Sequence, residues 1–326
     1  MPSPLLPDSG VMVVDKPQGV TSHDVVAAAR RLLHTRKVGH AGTLDPMATG
    51  VLVLGFGKAT RLLNVITDAD KTYETVIRLG QATTTDDAEG ELTGFFDLSA
   101  ISRQMICEAA KKLTGRIQQV PSAYSAIKVN GRRSYDLARQ GEEVHLPARP
   151  VTIEEFTILS VDEAQAGATP VLDVHARVTC SSGTYIRSLG RDLGSLLGVG
   201  AHLIMLRRLR VGKFGLTSAA TATVGEHRFV NRRGEEICRP EVVFDPPVVK
   251  DPAAFCLSPA QAASLTMPVV PISEEEKVAL SHGIALPIPV TGLTAAITAT
   301  DHELVALLEP WKHHQAKPAT VFLPAQ

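Results

Sequence analysis

Lys37 to Gly55 reads K-V-G-H-A-G-T-L-D-P-M-A-T-G-V-L-V-L-G, and the second half of this stretch decides what kind of fold presents the first half. Val51-Leu52-Val53-Leu54 is an unbroken apolar run of strand length, so it predicts a strand buried on both faces. Before it, Gly39, Gly42 and Gly50 let the backbone turn sharply and approach a ligand closely, while Pro46 stiffens the chain just after Asp45. A carboxylate is thereby set on a rigid turn at the lip of a core element, where catalytic groups are commonly placed. Asp-Pro also opens many ordinary turns, so the loop takes its meaning from its surroundings.

Working outward, Val11 to Val14 predicts a short strand, and Pro17 with Gly19 the turn after it. Thr21 or Ser22 caps a helix running to about His34, with Asp24 in its first turn facing the positive end of the helix dipole. Gly55-Phe56-Gly57-Lys58-Ala59-Thr60 fails the phosphate-loop pattern, because Leu52 stands where the first glycine belongs and Ala59 where Ser or Thr would hold magnesium. A helix over Lys58 to Ile66 is the better reading. Lys71 to Leu79 alternates as a strand with Tyr73 on one side, and the acidic Thr83 to Gly90 loop fits no EF-hand spacing, so it reads as structural. Ser99 caps a helix to Leu113. Val151 to Val161 and Val171 to Cys180 form a strand pair through an acidic turn. A helix from Thr184 to Leu197 follows, then a turn-strand element over Leu203 to Phe214. Strands and helices do not alternate regularly, which points to an α+β fold rather than a doubly wound one.

The chain has 326 residues, 44% hydrophobic and 21% charged, enough to build a sizeable core. Its formal net charge of −1 conceals an uneven distribution. Ile101 to Pro150 holds nine Lys or Arg against four acids, and Arg177 to Lys213 seven against one; Asn64 to Ala100 reverses the balance, with eight acids and two basic residues. Such segregation is compatible with a basic face for a phosphate backbone and also with ordinary solvated helices. The four cysteines, Cys107, Cys180, Cys238 and Cys256, lie far apart with no C-x-x-C, which predicts reduced thiols and no metal site. The first ten residues lack the basic start and apolar core of a signal peptide, and no apolar run approaches the ~20 residues of a membrane span. A soluble cytoplasmic protein is the expectation.

Several blocks together carry a family resemblance: Val14-Asp15-Lys16-Pro17-Gln18-Gly19-Val20-Thr21-Ser22, then Gly39 to Gly50, Lys71-Thr72-Tyr73, T-T-T-D-D-A-E-G from Thr83 to Gly90, Ser182-Gly183-Thr184-Tyr185-Ile186-Arg187, Gly200-Ala201-His202-Leu203 and Leu206-Arg207-Arg208-Leu209. In this order, over roughly the first two thirds of the chain, they resemble the TruB family of tRNA pseudouridine synthases. The resemblance implies an isomerase that cleaves the C1′–N1 bond of a uridine, position 55 in the T-loop of tRNA, turns the base and rejoins C5 to C1′. No atom is gained or lost, so no cofactor is implied. The catalytic residues would be Asp45, Tyr73 and Arg187. Asp45 would act on the base or the sugar or assist loss of the C2′ hydrogen, three roles the sequence leaves open; Arg187 would pair with Asp45 and keep it ionised. Tyr73 would stack on the base and take part in removing the C5 proton, with Tyr185 and Leu206 lining the pocket. The base must be flipped out of folded RNA, and His40 matches the histidine that fills the vacated stack. Lys16 would contact the RNA backbone.

The implied architecture is a catalytic domain over residues 1–266, with a mixed, largely antiparallel sheet, followed by a small β-rich PUA-like RNA-binding domain over 267–326. A thumb-like RNA-binding insertion maps to about 120–150, holding the Asn130-Gly131 turn, and a surface insertion of unknown role to about 218–257. Ser273-Glu274-Glu275-Glu276 is a capping box opening the helix that Gly283 closes, followed by strands near Ala295 to Thr300, Leu304 to Leu308 and Thr320 to Leu323. The implied partner is the T-arm of tRNA, met by a monomer with no membrane contact. Two rivals stand against this reading. An RNA-binding and folding factor needs only the basic faces, and an aspartyl-phosphate phosphatase is disfavoured by Met47, where its second Asp would stand.

Overall fold

The structure, a computed structural model, describes residues 6–124, 128–129, 131–135, 140, 146–230 and 233–323. The chain divides into two compact units, one of residues 1–46, 50–69 and 210–326, the other of 47–49 and 70–209. Both are mixed α/β structures in which antiparallel strand pairs predominate, as the absence of regular alternation predicts.

In the first unit, Gly10–Lys16 pairs antiparallel with Thr49–Phe56 along its full length, from Gly10 opposite Phe56 to Lys16 opposite Gly50. The apolar run Val51 to Leu54 has no exposed surface, and burying each such side chain contributes about 1.5–3 kcal/mol. Val38–His40 joins the same strand, with His40 opposite Leu54. The helix Ser22–Leu32 opens with a capping box in which Thr21 is the N-cap and Asp24 the reciprocal partner, leaving Ser22 free to turn inward. Lys58 to Ile66 is helical in two pieces, a 3-10 turn over Gly57–Leu62 and an α-helix over Leu63–Asp68.

Ser218 to Leu257, read as a surface insertion, is for the most part a long β-ribbon. Ala220–Val230 lies parallel to Gly10–Lys16 at Val14 and Asp15, then pairs with Glu236–Phe244 from Ala222 opposite Phe244 to Val230 opposite Glu236. Most of the ribbon is exposed on both faces, so its sequence shows no period-2 burial signal. The expected C-terminal strands form a four-stranded sheet of Val269–Ile272, Thr294–Thr298, Leu304–Trp311 and Gln315–Val321. Ser273 and Glu276 cap the helix Glu274–Ser281 reciprocally, as their spacing predicts.

In the second unit Lys71–Leu79 pairs antiparallel with Thr169–Cys180, which pairs with Arg149–Ala166, whose other edge takes Gly115–Gln119. The long hairpin turns at Gly167, whose φ of 65° suits glycine, so the pair extends past the expected acidic turn. Ala201–Val211 runs beside Lys71–Leu79, and the Thr75 hydroxyl donates to the Met205 carbonyl at 2.7 Å. The helix expected from Ser99 starts three residues later, at Arg103 with Ser102 as N-cap, because Ser99 spends its hydroxyl and its N–H on Asp97. Within the thumb-like stretch, Lys128–Val129 pairs with Arg132–Arg133 about Gly131 at φ 82°; residues 125–127, 130, 136–139 and 141–145 lie outside the described residues.

Candidate active site

Asp45 sits in the first unit, half-buried, on a loop fastened on both sides of it. On the N-terminal side the buried Ser22 hydroxyl accepts from the Leu44 N–H at 2.9 Å and donates to the Leu44 carbonyl at 3.1 Å. On the C-terminal side the Pro46 carbonyl accepts from the Gly19 N–H at 2.9 Å and from the Lys16 ammonium at 3.3 Å. Gly42 and Gly50, at φ 87° and 99°, supply the left-handed backbone that closes the loop. The D-K-P-Q-G-V-T-S block therefore holds the backbone on both sides of Asp45.

Lys16 is part of this fastening. It is wholly buried, with its ammonium donating to the carbonyls of Pro17 at 2.9 Å and Pro46, so in this structure it braces the Asp45 loop. His40 ends the strand Val38–His40, and its ring meets that of His23 edge-on at 5.7 Å. Ala41, next along, donates to Val53 at 2.8 Å, tying the start of the loop to the buried strand.

The second unit holds Tyr73, Tyr185, Arg187 and Leu206. Tyr73 lies in Lys71–Leu79 opposite Val178 and is buried; Leu206, also buried, lies in the neighbouring strand Ala201–Val211. Tyr185 is the N-cap of the helix Ile186–Leu196, and Arg187 lies in its first turn. The Arg187 guanidinium, 4% exposed, donates to the carbonyls of Thr85 at 3.0 Å and Tyr124 at 2.9 Å, and faces the Asp87 carboxylate at 3.4 Å.

Asp87 was read as part of a structural loop, and the structure gives that loop more to do. Thr83 and Thr85 tie down its backbone and carboxylate, while the Leu203 N–H donates to the Asp86 carbonyl. One helical turn after Arg187, Arg191 reaches the Asp86 carboxylate at 3.3 Å and Asp192 at 2.9 Å. Burial pushes the Asp86 and Asp192 carboxyls above the usual range, against the pull of Arg191. Two adjacent acids in a Gly-ended, cation-poor loop were the available signal, since buried carboxylates require such partners.

Among the described residues, no group of three or more His, Cys, Asp or Glu could hold a metal ion, and no helix is long and apolar enough to cross a membrane.

Comparison with known proteins gives these features a context. A family model described as TruB family pseudouridylate synthase (N terminal domain) matches residues 30–186, and one described as tRNA pseudouridylate synthase B C-terminal domain matches 187–231. The chain is 45% identical to a tRNA pseudouridine synthase B of Bifidobacterium longum subsp. infantis, over 96% of this chain and 98% of that one. It is 49% identical to a protein of the same name from an Arthrobacter species, over 97% of each. A crystal structure of a Cbf5-Nop10-Gar1 complex matches with a TM-score of 0.64 at 26% identity, covering 98% of this chain and 86% of that one. Fold and matches together define a pseudouridine synthase, an isomerase of uridine in RNA. Within that class, the chain belongs to the TruB family.

Proposed function

We propose that this chain converts uridine 55 in the T-loop of tRNA to pseudouridine, with Asp45 as the residue on which the chemistry turns. The observation that carries the reading is the two-sided fastening of the Asp45 loop by Ser22, Gly19 and Lys16. A carboxylate that must meet a reacting sugar or base gains from a fixed position, and a merely structural Asp-Pro turn has no need of three anchors. The names of the related proteins supply the substrate class.

In this reading Arg187 is the counter-charge to Asp45, while Asp87 and the Thr85 and Tyr124 carbonyls hold the guanidinium in place. Tyr73 stacks on the extruded uracil and takes part in removing the C5 proton, Tyr185 and Leu206 line the pocket, and His40 occupies the stack that the base vacates. Residues 1–266 form the catalytic domain. The four-stranded sheet at the C-terminus belongs to a PUA-like RNA-binding domain over 267–326. The protein works as a cytoplasmic monomer on the T-arm.

Substituting Asp45→Asn tests the assignment on purified, unmodified tRNA. Pseudouridine formation falls by at least on the order of a thousandfold while tRNA binding persists. Product formed at the parental rate would remove Asp45 from the chemistry, and loss of product together with binding would favour an RNA-folding role built on the basic faces.

A further inference from the structure

Gln119 ends the strand Gly115–Gln119 and has no exposed surface, an unusual setting for a side-chain amide unless every polar atom is used. Both atoms are spent on the backbone of one residue. Its Oε1 accepts from the Tyr185 N–H at 2.9 Å, and its Nε2 donates to the Tyr185 carbonyl at 3.1 Å. Tyr185, as N-cap of Ile186–Leu196, makes no capping bond through its own side chain, so the helix start relies on a neighbour for its orientation.

The residue directly across the ladder from Gln119 is Arg149, and it grips the same turn. Its guanidinium lies over the Tyr185 ring, 4.9 Å from the centroid, and donates to the Gly183 carbonyl. The rest of the turn is fastened to the same strand, since the Ser181 N–H donates to the Thr152 carbonyl at 2.9 Å and the Thr152 N–H to the Ser181 hydroxyl at 3.0 Å. One cross-strand pair thus fixes Tyr185 twice, by its backbone and by its ring.

We propose that Gln119 and Arg149 are positioning residues for the isomerisation, setting the Tyr185 ring at the angle at which it meets the target base. The proposal rests on the reading of Tyr185 as a pocket residue. Neither side chain is required to touch RNA; they act through Tyr185.

Gln119→Leu keeps the apolar stem and removes both bonds. With in vitro transcribed tRNA as substrate, kcat falls roughly tenfold to a hundredfold while KM stays within about twofold, because tRNA is held mainly elsewhere. Gln119→Glu adds a signature that a packing role would not produce. As a carboxylate it still accepts from the Tyr185 N–H but repels the carbonyl; protonated, it makes both bonds again. Its activity relative to the parent therefore rises as the pH is lowered from about 8 to about 5.5. Should Gln119→Leu fail to fold, the pH profile of Gln119→Glu and a fall in kcat for Arg149→Met carry the test. In the double variant Gln119→Leu/Tyr185→Ala, kcat is no lower than in Tyr185→Ala alone. Parental kcat in Gln119→Leu, a Gln119→Glu profile parallel to the parent, or multiplying losses in the double variant would each overturn the proposal. If Tyr185→Ala itself retains parental kcat, the pocket reading of Tyr185 falls and this proposal with it. If Tyr185→Ala is impaired and Gln119→Leu is not, only the positioning role falls.

Discussion

A buried imidazole ties stability to pH, and His202 shows the sign. Its ring is 4% exposed, and its Nδ1–H donates to the Gln81 carbonyl at 3.2 Å, so the neutral tautomer fits the site. Burial holds its pKa below the usual 6.5, so the unfolded chain takes up a proton at a pH where the folded chain does not. The stabilisation is complete above 6.5 and is lost as the pH falls through that value toward the lower folded one. In urea titrations at about pH 7 and about pH 5, the parent should lose more stability on acidification than His202→Gln does; equal losses would mean that His202 is not held neutral. At this scale the sequence was uneven in what it disclosed. The rigid turn that carries Asp45 was legible because glycine and proline constrain the backbone locally. Ser22 was legible only as a cap, since the capping box assigns that task to Thr21 and frees Ser22 to grip Leu44, a contact 22 residues away that no local pattern encodes. The burial of Lys16 was hidden for a related reason. A lysine in a sequence is presumed exposed, and only the fold places two carbonyl oxygens around its ammonium.

At the scale of elements, the helix Ile186–Leu196 has to lie very close to the strand that follows it, and two glycines make room. A Cβ on Gly190 would meet Leu203 Cδ1 at 2.5 Å, the end of a flexible side chain, whereas one on Gly194 would meet the Ala201 Cβ at 2.6 Å and the Val199 carbonyl oxygen at 2.7 Å. Backbone does not step aside as a leucine tip does. Alanine at a helix interior gains about 1 kcal/mol over glycine, but overpacking against fixed atoms costs about 1–3 kcal/mol, so the clash wins at position 194. Gly194→Ala should therefore lower the urea midpoint despite its better helix propensity, and a raised midpoint would show that the helix can move away from Ala201. The helix Ser22–Leu32, with its one-sided burial, was readable from periodicity, and the strand Thr49–Phe56, buried on both faces, from its unbroken apolar run. The ribbon of Ala220–Val230 and Glu236–Phe244 was not, because its pairs are largely cross-strand contacts in solvent, such as the Arg239 guanidinium 5.6 Å from the Phe229 ring. Such a ribbon shows in register, not in hydrophobicity.

For the molecule as a whole, counting charges along the chain overstated how much positive charge reaches solvent. Of the basic residues between Arg177 and Lys213, Arg187 and Arg208 are buried, and Arg177 and Arg191 are matched by Glu74, Asp86 and Asp192 at 2.7 to 3.3 Å. Lys111, Lys112 and Arg116, at the end of the helix Arg103–Lys112 and the start of the strand after it, are instead fully at the surface. A chain of net charge −1 binds a polyanion only where cations of this kind are locally in excess, and each phosphate they neutralise releases a counterion. Affinity for tRNA should therefore fall steeply as salt is raised, despite the near-neutral total. If these three side chains lie on the RNA path, reversing them together, Lys111→Glu, Lys112→Glu and Arg116→Glu, reduces the slope of log K against log salt by up to about three, at about 0.9 per duplex phosphate, and weakens all tRNAs alike. A slope equal to the parent's would move the RNA off this edge of the second unit.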